Sequence, residues 1–278
     1  MSTERISQAR ATNIPVRFPD SPVRTNGYGL YRHRCATLRT FMTMFINKIL
    51  LVAERASGSQ AALQKAVMIA RHFGATIELF TCDAEHSYAL GDDVESTAIV
   101  TRCLAESRRF LAALRGSVSA RDIDFTSEAA CAATVGEGVC KQVLVSAPSL
   151  VVKSFTETGV ATAPLASVTD LYLMRCCPAP LLLTYGRSWH PVPKIGVMID
   201  RQGGSSAGGS GSSTRALRTA AEHLAAGCHG KIETVEPTDR LDVDVLALQV
   251  ESSKFAAQIL STAVFDLLLV PGRANHEP

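Results

Sequence analysis

Two carboxylates close two similar apolar runs. Lys48-Ile49-Leu50-Leu51-Val52-Ala53 ends in Glu54, and Lys194-Ile195-Gly196-Val197-Met198-Ile199 ends in Asp200. At the C-terminal end of a parallel strand an acid faces the edge where open α/β sheets take their ligands. There it can accept hydrogen bonds from a ribose, cap a helix or pair with a cation; capping or a salt bridge is the preferred reading of both. A Gly/Ser run at 203–213 follows the second acid. It contains no lysine, so it is not a phosphate loop of the Gly-x4-Gly-Lys-Ser/Thr kind, and Gly209-Ser210-Gly211 lacks the third glycine of a dinucleotide fingerprint. It reads as a flexible insertion. His223, Cys228 and His229 cluster near a helix end, but a zinc site needs about four ligands and no fourth is in sight. Adjacent Cys176 and Cys177 read as core packing rather than a redox pair. With no Gly-x-Ser-x-Gly elbow and no paired catalytic carboxylates, the expectation is a protein that is not an enzyme.

The elements that position these residues follow a repeated plan. Each acid leads through a turn into an amphipathic helix, with stripes Leu63, Ala66, Val67, Ala70 and Leu217, Ala220, Ala221, Leu224. Both have the i, i+3, i+4, i+7 spacing of one helical face. A β-like run follows each, at 75–80 and 231–235. The first unit continues with a helix over 95–116, a strand near 123–126, a helix near 135–146, a buried strand at 150–152, a helix over 165–176 and a strand at 181–184. Cys177-Pro178-Ala179-Pro180 forces a boundary before that last strand, because proline cannot extend a helix. The second unit continues with strands at 243–248 and 267–270 around a helix over 252–262. It matches 267–270 to the strand at 150–152, so its last helix and strand are missing and its sheet is expected to have an uncovered edge.

Strands alternating with helices imply a mostly parallel sheet. The expected architecture is α/β, two tandem doubly wound domains with the second pruned. Residues 1–44 form a disordered or misassigned extension, 45–186 the first domain, 187–193 a linker and 194–278 the second domain. The 278 residues suffice for two domains. Residues 1–47 carry seven arginines against Glu4 and Asp20, a balance of +5 in a chain of net +2. The remainder is slightly acidic, which gives no footprint for nucleic acid. The eight cysteines form no C-x-x-C pair and read as reduced thiols of a cytoplasmic protein. No apolar stretch approaches the roughly 18 residues that suggest a membrane helix.

Three features together carry a family resemblance: Leu51-Val52-Ala53-Glu54; Ser149-Leu150-Val151-Val152-Lys153-Ser154 with its echo Asp266-Leu267-Leu268-Leu269-Val270-Pro271-Gly272; and Leu173 to Leu183 with its Cys-Pro-x-Pro. In order and spacing the chain resembles the universal stress proteins, specifically tandem E-type members, over about Phe45 to Gly272. The resemblance implies an adenine-nucleotide alpha-hydrolase-like fold and a stress-response protein that binds a ligand or a partner protein, its two domains paired internally, with homodimer formation as a further option. ATP-binding members carry Gly-x2-Gly-x9-Gly-Ser/Thr after the fourth strand. Here those glycines fall on Ser154, Glu157 and Ser167, so the resemblance implies a degenerate nucleotide site and no cofactor. The alternative is ATP or AMP binding with weak or no hydrolysis, using Glu54, Asp200 and Gly272 as nucleoside-site positions.

Overall fold

The structure, a computed structural model, describes residues 46–55, 59–86, 94–155, 167–198, 210–236, 241–250 and 265–271. Strands β1 (Lys48–Val52), β2 (Thr76–Asp83), β3 (Phe125–Cys131), β4 (Leu150–Ser154) and β5 (Leu181–Thr184) alternate with helices α1 (Ser59–Phe73), α2 (Val94–Gly116), α3 (Val135–Ser146) and α4 (Val168–Cys176). Then come β6 (Lys194–Met198), α5 (Ser210–Cys228), β7 (Lys231–Val235), β8 (Val245–Val250) and β9 (Asp266–Pro271). All nine strands join one sheet in the order β3-β2-β1-β4-β5-β9-β8-β6-β7. Every pairing is parallel except β5 with β9. The architecture is therefore a mostly parallel α/β sheet, as the alternation of elements requires.

Side-chain parity runs unbroken across it. Ile49, Leu51, Leu79, Val152, Leu182, Leu268, Ala247 and Ile195 face α1 and α5. Leu50, Val52, Phe80, Val151, Leu183, Leu269 and Leu246 face the opposite side, where α3 and α4 lie beside the first half. Burying each of these larger side chains contributes roughly 1.5–3 kcal/mol. The stripe of α1 is fully used, since Leu63, Ala66, Val67 and Ala70 are all buried. α1 ends at Gly74, whose φ of +64° suits glycine, and the turn is closed by the Ala75 N–H on the Ala70 carbonyl. α1 and α5 cross closely. A Cβ at Gly227 would stand 2.7 Å from the Phe73 ring, so a larger residue at that crossing would force the ring to shift.

The β5–β9 seam corrects the sequence reading of what the second half lacks. β8 lies beside β6 as β4 lies beside β1, and β9 lies beside β8 as β5 lies beside β4. Leu267–Val270 thus holds the position of the fifth strand, not the fourth. Only residues 236–244 connect β7 to β8, too few for a helix, a strand and a second helix; the missing part is the counterpart of α2, β3 and α3. The misreading has a physical cause. β9 has neighbours on both sides and is buried on both faces, so its leucines look like those of a central strand. Nor is its edge uncovered, for Leu181, Leu182 and Leu183 pair with Leu269, Leu268 and Leu267. The open edge of the second half is β7, where Lys231, Glu233 and Thr234 are exposed. Charged side chains on an edge strand discourage pairing with another chain. The expected helix over 252–262 lies outside the described residues.

The segment read as a linker is tied down at this seam. Asp266 at the start of β9 accepts the Tyr185 N–H at 2.7 Å, the Trp189 indole N–H at 2.7 Å and the Lys65 ammonium at 2.6 Å. Lys65 also donates to the Tyr185 carbonyl at 3.0 Å and lies 5.2 Å from the centre of the Trp189 ring. Burial pushes the Asp266 carboxyl up, against the downward pull of Lys65, Tyr185 and Trp189. Nearby, Asp244 accepts the backbone N–H groups of His190 and Lys194.

Candidate functional site

The C-terminal edge of the first half is built on β1 and β4, paired in register with Val52 opposite Lys153. Lys153 points to the α4 side of the sheet, and none of its side chain reaches solvent. Its stem can lie among apolar neighbours; its ammonium cannot be left unpaired there. It finds Glu54 Oε1 at 2.7 Å, Asp170 Oδ1 at 2.8 Å and the Ser154 carbonyl at 2.9 Å. Glu54, two residues past β1, keeps a quarter of its side chain exposed, whereas Asp170 is fully buried.

Asp170 stands at the third position of α4, and the helix start explains its place. Ser167 is the N-cap; its hydroxyl accepts the Asp170 N–H at 3.0 Å and donates to Asp170 Oδ2 at 2.7 Å. The Asp170 carboxylate in turn accepts the Ser167 N–H at 3.2 Å, completing a capping box. A helix N-terminus attracts anions through its free N–H groups and dipole. At α4 that role is taken by the protein's own carboxylate. One ammonium facing two carboxylates leaves the cluster with a net charge of −1, which opposes a phosphate approaching this edge.

The sequence-selected positions divide clearly. Glu54 and Ser167 come to the same cluster, on either side of Lys153. Ser154 is a buried strand residue whose carbonyl holds Lys153. Glu54 makes the salt bridge that the residues favoured. Glu157, Asp200 and Gly272 lie outside the described residues, as does most of the Gly/Ser run; its residues 210–213 begin α5. Lys153 and Asp170 were missed. The signal available for Lys153 was a charge at the end of an otherwise aliphatic strand, which demands a partner; for Asp170 it was the Ser-x-x-Asp start of α4.

The remaining candidates resolve simply. Cys177 is buried, and burial pushes its thiol up to about 12, while Cys176 is exposed. A thiol held protonated is a poor nucleophile, so Cys177 packs rather than reacts, whereas Cys176 faces solvent at the end of α4 and does not take the core position expected of the pair. Cys228 is buried with its thiol toward the Ala225 carbonyl, and the His229 ring meets His72 edge-on at 5.1 Å. Among the described residues, His223, Cys228 and His229 do not converge on a common point.

No family model and no curated protein matches the chain. Solved structures do. A functionally unknown protein, PA1789 from Pseudomonas aeruginosa PAO1, superposes with a TM-score of 0.59 at 16% identity, over 84% of this chain and 95% of that one. A universal stress protein from Archaeoglobus fulgidus DSM 4304 gives 0.60 at 8% identity, over 82% and 99%. A candidate universal stress protein from Pseudomonas aeruginosa UCBPP-PA14 gives 0.56 at 16% identity, over 82% and 94%. The chain has the fold of these proteins, over nearly their whole length.

Proposed function

We propose that this chain is a universal stress protein-like, non-enzymatic stress-response protein. It acts by binding a partner protein or a small ligand, with its two units joined as an internal pair. The observation that carries the reading is the Glu54–Lys153–Asp170 cluster closed by the Ser167 cap. A nucleotide site at this edge would need free N–H groups and uncommitted positive charge. Here the helix start is capped by a carboxylate, and the lysine is neutralised twice. No helix among the described residues is long and apolar enough to cross a membrane, and the proposed location is the cytoplasm.

The test is a calorimetric titration of the full chain with Mg-ATP and with Mg-AMP, paired with thermal unfolding. A ligand specific to the folded state adds about 2.7 kcal/mol at 100 times its dissociation constant. The expected result is no heat of binding and no shift in Tm at millimolar nucleotide. A second reading, nucleotide binding without turnover, is favoured by one feature: Glu54 keeps part of its carboxylate open to solvent, where a ribose could reach it. Micromolar binding lost in Glu54→Gln would establish that second reading and overturn the first.

A further inference from the structure

A second cluster lies on the other face of the same sheet edge. Asp83 is the last residue of β2, and Cys131, its register partner, the last of β3. Their side chains share the face covered by α2, from which Cys103 reaches down, buried. His86 follows three residues after Asp83 and turns back over it, its N–H and Nδ1 on Asp83 Oδ1 at 3.2 and 3.1 Å. Ligand atoms of Asp83, His86 and Cys103 all lie within 4.8 Å of one another. The Cys103 and Cys131 sulfurs are 3.6 Å apart.

We propose that Asp83, His86, Cys103 and Cys131 form a four-coordinate zinc(II) site. Zinc takes Cys, His and carboxylate ligands tetrahedrally at about 2.0–2.3 Å, so its ligand atoms stand roughly 3.3–3.8 Å apart. Asp83, His86 and Cys103 already stand within mutual reach, and the contacts of 3.1 Å between His86 and Asp83 and 3.6 Å between Cys131 and Cys103 are close to such edges. The Cys131 thiol touches Cys103 but lies outside that group of three, and must turn toward it as the metal binds. The donor set is borderline-soft and nitrogen-containing, which suits zinc over magnesium or calcium. Binding converts both thiols to thiolates, and their two protons pass to solvent. Neutral His86 binds through Nδ1, and the carboxylate of Asp83 completes the set. Zn2+ with two thiolates and one carboxylate has a net charge of −1. His86 is about a third exposed, which gives the ion a way in. All four positions are filled by protein, so the site is structural: it fastens the ends of β2 and β3 to the middle of α2.

The probe is cobalt(II), then zinc(II), added to the reduced, chelator-washed full chain. The expected result is one equivalent of cobalt per chain, with intense tetrahedral visible bands and a thiolate charge-transfer band, displaced by zinc. Cys103→Ser and Cys131→Ser should each lower that charge-transfer band. His86→Gln should keep it while weakening affinity by more than the roughly 10–100-fold typical of a change outside the ligand set. Cys228→Ser should change nothing. A variant-free readout stands beside these. In the wild-type chain, stoichiometric zinc should slow alkylation of Cys103 and Cys131, read by mass spectrometry, and leave exposed Cys176 reactive. A pale octahedral cobalt spectrum, sub-stoichiometric binding, failure of zinc to protect those two cysteines, or a Cys103–Cys131 disulfide forming in place of metal binding overturns the proposal.

Discussion

Among the described residues two lysines are buried, Lys65 on α1 and Lys153 on β4, and they are held in opposite ways. Lys65 has one carboxylate, Asp266, across the seam. That acid is itself saturated by a backbone N–H and an indole N–H, so the cluster is neutral and closed. Lys153 has two carboxylates, one of which still meets solvent, so its cluster is negative and partly open. The first arrangement clamps two halves of a sheet. The second occupies the edge where a parallel sheet offers its ligand site. Similar chemistry therefore does two jobs, and what separates them is the count of opposing charges and the exposure of one glutamate.

The comparison is tested most severely at the seam. Asp266→Asn leaves the Lys65 ammonium buried without a counter-charge, and breaking a buried pair in this way costs about 3–5 kcal/mol. Urea unfolding should show that loss; a change below about 1 kcal/mol would mean that Lys65 escapes to water and that the clamp is not one.

At the ligand edge the cost should be smaller and asymmetric. Lys153→Met should lose about 3 kcal/mol, because Asp170 stays buried while Glu54 can turn outward. Glu54→Gln should lose about 1 kcal/mol or less, since Lys153 keeps Asp170. Equal losses in the two variants would show that the cluster is as closed as the seam.

The smallest effect is a pH dependence at the tie between segment 185–193 and β8. Burial pushes the Asp244 carboxyl up, but the N–H groups of Lys194 and His190 and the His190 ring outweigh it, and the net shift is below 3.8. A depressed carboxylate stabilises the fold above its unfolded value, and that stability is lost as pH falls through the folded value. The stability margin of wild type over Asp244→Asn should therefore be full at pH 7, shrink below pH 3.8 and vanish in stronger acid. Urea midpoints of the two proteins across that range measure it; a margin that grows in acid would contradict the assignment.

Much of the fold was legible because it is local. The stripes of α1 and α5, the aliphatic runs of β1, β4 and β5, and the span 135–146 of α3 are written in periodicity and punctuation. β3 was placed too early because it is the edge strand, and Thr126, Ser127 and Glu128 are exposed where the expected pattern is alternation. Sheet order was not legible in the second half, since an aliphatic run does not name its neighbours. Glu54 was legible as the acid that closes the first apolar run, and Ser167 came through the family resemblance. Lys153 was not singled out because its partners lie on other elements, and Asp83, His86, Cys103 and Cys131 meet only once β2, α2 and β3 are assembled.

The Lys65–Asp266 contact spans 201 residues of chain, which makes it a matter of timing as well as of energy. At the roughly 5–20 residues per second of protein synthesis, Lys65 leaves the ribosome some 10–40 s before its counter-ion exists. Through that interval the first half holds a cation it can neutralise only by leaving the lysine in water and α1 incompletely seated. Synthesis of β9 then acts as the signal that locks the earlier half. Chains stalled before residue 266 should be cut by protease within α1 more readily than released chains, and equal resistance would show that the first half sets without waiting.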